Sequence, residues 1–198
     1  MDRPGTTLKD LFGPGRNCCV MGIGNLDRGD DGFGVRFAEL LRDSGWPSVF
    51  IAETTPENHI GRLADGNFTD VLLVDAVDAG AKPGTAVFLD AAGIDSRFPQ
   101  VSTHKLSLAM ISRVAIERYG CKAWLLGVQP TAVQAGAVQP MAVQPTAVGT
   151  EVAGRTLGLS PVVEKTMNLL IDEILTLKTD AQPRAARSGT RVLEKRCC

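Results

Sequence analysis

Histidine is scarce in this chain: 198 residues include only two, His59 and His104. So low a count argues against a histidine-rich metal centre. An excess of positive charge is missing as well, since 21 Lys and Arg stand against 22 Asp and Glu for a net charge of −1. Duplex nucleic acid, which is gripped by clustered Lys and Arg, is therefore not an expected partner. Long apolar runs are absent too. The most hydrophobic stretch, Val71 to Val74 with its neighbours, is cut by Asp75 and Asp78 far short of the ~20 residues that span a bilayer. No membrane association is expected. Residues 1–15 mix charges with prolines and hold no apolar signal core, so the expected compartment is the cytosol.

Other motifs are missing in informative ways. The five cysteines (Cys18, Cys19, Cys121, Cys197 and Cys198) never take a Cys-x-x-Cys spacing, which speaks against a zinc ribbon or a thioredoxin-type site. Cys18, Cys19 and Cys121 fall in apolar segments, where a reduced cysteine packs as a small hydrophobe. The turn Gly22-Ile23-Gly24-Asn25 lacks the third glycine of a dinucleotide-binding fingerprint, and Asp27, Asp30 and Asp31 would repel a pyrophosphate. No serine sits in a G-x-S-x-G elbow.

What is present is enough for one globular domain. With 44% hydrophobic residues, a chain of this size can bury roughly 70% of its unfolded surface without disulfide or metal. Cys-Cys-Val-Met-Gly-Ile, from Cys18, reads as a buried strand. Asp30 and Asp31 then precede a helix with Phe33, Phe37, Leu40 and Leu41 on one face, stopped by Gly45 and Pro47. Further strands are expected at 48–52, 71–74, 85–89 and 123–128, and further helices at 57–64, 107–119 and from Pro161 onward, with Ser160 as N-cap. The last helix carries Val163, Met167, Leu170, Ile171 and Ile174 at helical spacing. The alternation predicts a three-layer α/β/α domain with a mostly parallel, five-stranded twisted sheet, spanning residues 17–178.

One segment breaks this pattern. Val128-Gln129-Pro130-Thr131-Ala132-Val133 recurs as Val143-Gln144-Pro145-Thr146-Ala147-Val148, with a further Ala-Val-Gln-Pro at 137–140. Removing residues 131–145 would restore one continuous copy, so an inserted, flexible repeat loop is expected at about 131–154. Residues 1–16 and 179–198 are expected to be loose ends.

In a doubly wound sheet, ligands sit beyond the carboxyl ends of the strands. Three places there carry acceptor groups: Asp30 and Asp31 after the first strand, Asp75 ending the third, and His104 in the loop before the helix at 107–119. Two carboxylates and an imidazole form a ligand set suited to a borderline metal such as nickel, zinc or manganese. Each residue also has a plainer reading. Asp30 or Asp31 would cap the first helix, Asp75 a turn, and His104 would be a hydrogen-bonded loop residue.

Together these segments resemble the hydrogenase maturation endopeptidases, which trim a C-terminal extension from the large-subunit precursor of nickel-iron hydrogenases. The resemblance rests on Gly22-Ile23-Gly24-Asn25 with Gly29-Asp30-Asp31-Gly32-x-Gly34, Thr55-Pro56-Glu57-Asn58, Leu73-Val74-Asp75-Ala76-x-Asp78-x-Gly80, Pro83-Gly84, Thr103-His104 and Leu126-Gly127-Val128-Gln129-Pro130. It runs from about Asn17 to Leu177 apart from the repeats, and Glu57-Asn58 resembles the branch that serves the formate-linked enzyme. It implies an endopeptidase whose partner is the hydrogenase large-subunit precursor, with nickel carried by that precursor. It also implies that Asp31, Asp75 and His104 are the metal-contacting and catalytic residues, with Asp30 one position away as the alternative first ligand. Whether such a site works through the metal or through the two carboxylates as an acid/base pair stays open, as does an alternative role as a non-proteolytic nickel-binding assembly chaperone. The repeats raise a third possibility, a homologue disabled by its own insertion.

Overall fold

In a computed structural model of the chain, residues 6–13, 15–98, 108–131 and 158–181 are described, with side chains as far as residue 177 in the last segment. Five strands form one sheet: β1 (Cys18–Ile23), β2 (Val49–Glu53), β3 (Asp70–Ala76), β4 (Ala86–Asp90) and β5 (Lys122–Val128). Their order is β2-β1-β3-β5-β4. All neighbours are parallel except β4, which runs antiparallel along β5.

The central strands read as near-continuous apolar runs because both faces are covered, as a parallel sheet requires. Alternate residues divide between two cores. Val20, Leu72, Val74 and Leu126 pack on one face against α2 (Phe33–Asp43) and α6 (Pro161–Ala181), through Phe33, Phe37, Leu41, Val163, Met167, Ile171 and Ile174. Cys19, Met21, Val71, Leu73, Ala123 and Leu125 face the other way, against α4 (Ala91–Arg97) and α5 (Leu108–Tyr119). A short α3 (Glu57–Ile60) runs into a 3-10 turn at Gly61–Ala64, whose Leu63 joins this second core. Each fully buried Leu, Ile or Phe contributes about 2 kcal/mol of transfer free energy. Cys18, Cys19 and Cys121 are buried free thiols among these side chains.

The expected three-layer architecture is therefore present, with four local differences. Leu40 is 38% exposed, since it falls off the Phe33, Phe37, Leu41 stripe. The helix α4 was not expected: Ile94 is its one buried side chain, too little for periodicity, and the Asp90 carboxylate caps it by accepting from Gly93 N at 2.8 Å. Direction of the edge strand β4 carries no periodic signature either. The fourth difference is at the N-terminus. Residues 6–16, part of the segment expected to be loose, include the helical turn α1 (Leu8–Leu11), opened by Asp10 accepting from Thr7 N and Oγ1. Leu11 and Phe12 are buried there, Phe12 meeting Trp46 edge-on at 5.0 Å, so apolar burial anchors a stretch whose charges and prolines had concealed it. The repeats and most of the C-terminal tail lie outside the described residues. Among the described residues, no helix is long and apolar enough to cross a membrane.

Candidate functional site

The chain leaves β1 through α2 on one face to β2 at the edge, then returns across β1 through α3 on the other face to β3. Connections on either side of the β1–β3 pair thus diverge, which makes its carboxyl end the switch point where such sheets bind ligands. An open cleft of about 110 Å³ lies there. Asp31 from the segment after β1 and Asp75 from the end of β3 both line it, with Glu53, Pro56, Leu108 and Ile111 around them. Two aspartates, one from the segment after β1 and one from the end of β3, so line one cleft with a partly apolar wall.

Backbone geometry accounts for the placement of Asp31. The segment Leu26–Gly32 makes two short 3-10 turns across a kink at Arg28 and Gly29. It folds back so that the Asp31 carbonyl accepts from Asn25 N at 3.0 Å. Gly24, at φ +134°, permits this return, because any Cβ there would overlap the Asp31 carbonyl oxygen. Helix α2 then starts close against the strands, since a Cβ on Gly34 would run into the carbonyls of Val74 and Ile23.

Asp30 and Asp31 have different surroundings, which separates two neighbours that are equivalent in sequence. Asp30 turns inward and is 7% exposed. Its Oδ1 accepts from Ser160 N at 2.6 Å, and its Oδ2 accepts from Thr131 N, Thr131 Oγ1 and Ser160 Oγ at 2.9, 2.7 and 2.9 Å. Burial pushes this carboxyl up, but the hydrogen bonds from Thr131 and Ser160 outweigh it and hold the group below its ordinary range. The Ser160 hydroxyl, expected to cap α6, donates to Asp30 instead. Asp31 is the member of the pair that lines the cleft.

Two further contributors have no role that the sequence alone assigns. Gln129 is 7% exposed, and its Oε1 accepts from Ala79 N and Ala81 N at 2.8 and 3.2 Å while its Nε2 donates to Asp78 at 3.3 Å. It pins the loop that follows Asp75. Glu53 closes β2 at φ +49°, where a register shift lets its carbonyl accept from Gly24 N at 2.9 Å. A left-handed residue other than glycine costs about 1–2 kcal/mol, and such strain concentrates at functional sites. His104 lies outside the described residues, and among those described no group of three or more His, Cys, Asp or Glu could hold a metal ion.

Comparison with known proteins places this architecture. Residues 38–177 match the family described as HycI: Hydrogenase maturation protease, a span that includes Asp75 and His104 and begins after Asp31. The Hydrogenase 3 maturation protease of Escherichia coli K12 is 33% identical over 113 residues, 56% of this chain and 71% of that protein. A crystal structure of the [NiFe] hydrogenase maturation protease HycI from Thermococcus kodakarensis superposes with a TM-score of 0.65 at 27% identity, covering 87% of this chain and 98% of that one. The hydrogenase maturating endopeptidase HybD from E. coli shares the fold, with a TM-score of 0.59 at 23% identity over 83% of this chain and 93% of its own. A doubly wound sheet with paired carboxylates at its switch point, and a family match over most of its length, identify this chain as a member of the HycI hydrogenase maturation protease family, an endopeptidase.

Proposed function

We propose that this protein removes the C-terminal extension of a nickel-iron hydrogenase large-subunit precursor after nickel has been inserted, in the cytosol, and that Asp31, Asp75 and His104 contact the nickel which the precursor carries. The observation that carries the reading is the convergence of Asp31, from the segment after β1, and Asp75, from the end of β3, on one cleft. His104, the third residue of the reading, precedes the cleft residue Leu108 by four positions in the sequence. Carboxylate and imidazole donors suit nickel. On this reading the metal is part of the substrate and reports that the precursor is ready, which explains how a cut that happens once is timed. Free buried cysteines fit a reducing compartment.

Within the site, Asp31 and Asp75 orient the metal-bearing end of the precursor, while the Pro56, Leu108 and Ile111 wall shields the scissile bond from bulk water. A carboxylate left free by substrate geometry would take the proton from the attacking water. The protease names of the relatives favour processing over a purely chaperone role.

The experiment is incubation of the purified protein with matched precursor samples, with and without nickel. A shortened product from the nickel-loaded sample alone is expected. Asp75→Asn and His104→Ala should each abolish it, and near-normal cleavage by either variant removes that residue from the site. Binding without any shortened product would leave the assembly-chaperone role in its place.

A further inference from the structure

Asp30 lies beside the candidate site without lining it, and its carboxylate is buried under four hydrogen bonds. Its four hydrogen bonds come from Thr131, three residues beyond β5, and from Ser160, directly before α6, which are 101 and 130 positions away in the chain. All four donors are backbone N–H or hydroxyl groups, so the carboxylate is fully occupied in a nearly closed environment.

The contacts continue on both sides. Toward β1, the very next residue, Asp31, has its carbonyl fixed by Asn25 N and seated over Gly24. Toward β3, Thr131 is two residues beyond Gln129, whose amide oxygen holds Ala79 N and Ala81 N in the loop following Asp75. Gln129 is also paired through its backbone, donating to Thr85 O at 2.9 Å and accepting from Gly84 N at 2.8 Å. Hydrogen bonds and short backbone links therefore join the segment of Asp31 to the loop that follows Asp75, and Asp30 is the link on the Asp31 side.

We propose that Asp30 is a positioning residue for the reaction: clasped by Thr131 and Ser160, and through Gln129 tied to the loop after β3, it sets the spacing between Asp31 and Asp75. The proposal rests on the reading that Asp31 and Asp75 are the working pair. It assigns to Asp30 the role of fixing its neighbour rather than touching substrate. Displacing a positioned group by about 1 Å can cost on the order of 100-fold in rate, so a clasp of this kind has a large kinetic reach.

The test uses Asp30→Asn, in which the side-chain nitrogen confronts at least one of the N–H or O–H donors, together with Thr131→Val and Thr131→Ser. Cleavage of nickel-loaded precursor is followed well below each variant's melting temperature, with kcat and KM determined separately. We expect Asp30→Asn to lower kcat at least ~10-fold with KM within ~3-fold, Thr131→Val to lower it less, and Thr131→Ser, which keeps both donors, to recover most of the wild-type rate. Amide hydrogen exchange gives a readout that does not depend on cleavage: the Asn25 amide, bonded to the Asp31 carbonyl, should exchange at least ~10-fold faster in Asp30→Asn, while the Val20 amide inside β1 is unchanged. Wild-type kcat and unchanged Asn25 exchange in a folded Asp30→Asn protein would overturn the clasp. If Asp30→Asn does not fold, Thr131→Val and Ser160→Ala carry the same comparison, and unaltered Asn25 exchange in both rejects it. A wild-type protein that cuts no precursor defeats the assignment of Asp31 and Asp75 to processing, whereas the exchange result still decides whether Asp30 fixes Asp31.

Discussion

At the amino end of β3, Asp70 is wholly buried, and its carboxylate accepts from Arg16 Nη1 at 2.6 Å, Thr69 Oγ1 at 2.7 Å and Trp124 Nε1 at 2.8 Å. At the carboxyl end of the same strand, Asp75 lines an open cleft together with Asp31. One strand thus carries two aspartates with opposite employment. Asp70 has a cation and two neutral donors from three separate segments, and it ties the lead-in to β1 to the starts of β3 and β5. Asp75 and Asp31 stand where ligand and water arrive, and the tying role at their end of the sheet falls to Asp30. The difference teaches that an acidic residue at a strand end takes its meaning from its setting, which is donors from three segments around Asp70 and the wall of a cleft at Asp75. Residue type and strand position alone do not separate the two.

The largest effect expected from breaking this contrast is kinetic. Asp75→Asn should lower the rate of precursor cleavage by about 10²–10⁴-fold, the range associated with losing an acid/base or metal-contacting carboxylate, while moving the melting temperature little. Asp70→Asn should do the reverse. Removing the charge opposite Arg16, a side chain one-quarter exposed, costs about 2 kcal/mol after allowance for solvent screening. For a chain of this length that is a fall of about 4–8 °C by thermal denaturation, with cleavage at low temperature unaltered. Should Asp70→Asn lose activity without losing stability, the division between the two sheet ends is wrong.

An intermediate effect concerns the repeats that separate Thr131 from Ser160. Deleting residues 131–145 joins Pro130 to Thr146 and presents the same Gln-Pro-Thr-Ala-Val order beyond β5. Thr146 then supplies the N–H and hydroxyl that Thr131 gives Asp30. Stability is expected to stay within about 1 kcal/mol, since halving a connection changes closure entropy by about 0.6 kcal/mol. Cleavage should be retained. A large gain in rate on deletion would mean instead that the insertion obstructs the carboxyl end of the sheet, and urea titration beside the cleavage assay distinguishes the two.

These contrasts also show what sequence reading could and could not reach. The strands β1, β3 and β5 and the helices α2, α5 and α6 were legible because burial on two faces or on one stripe leaves a long periodic trace. Asp31 and Asp75 were legible as acceptors at strand ends, since topology alone brings those ends together. The distinct roles of Asp30 and Asp31 were not, because what separates them is donors more than a hundred residues away. Gln129 stood in a recognisable motif, but its role was hidden for a similar reason: its amide holds three groups of a loop some fifty residues away. The helix α4 and the turn α1 are short, and each relies on one capping carboxylate and one or two buried side chains, too few for any period to show.

The smallest expected effect comes from acid, and it bears on Asp30 as the carboxyl-end counterpart of Asp70. Burial alone would raise the pKa of Asp30, but the hydrogen bonds from Thr131 and Ser160 bring it below the unfolded value of 3.8. A carboxyl lowered on folding binds fewer protons in the folded protein, so its contribution is complete above the unfolded pKa and is lost as pH falls through that value toward the folded one. Wild-type stability, followed as the urea midpoint, should therefore decline below about pH 4 partly through this group. Asp30→Asn has no proton to take up there. It should be less stable than wild type at pH 6, and its midpoint should fall less steeply between pH 4 and pH 3, so that the two curves approach one another in acid. Parallel curves would mean that protonating Asp30 does not loosen the contacts of Thr131 and Ser160, and the burial of its carboxylate would then contribute shape to the site without contributing acid-sensitive stability.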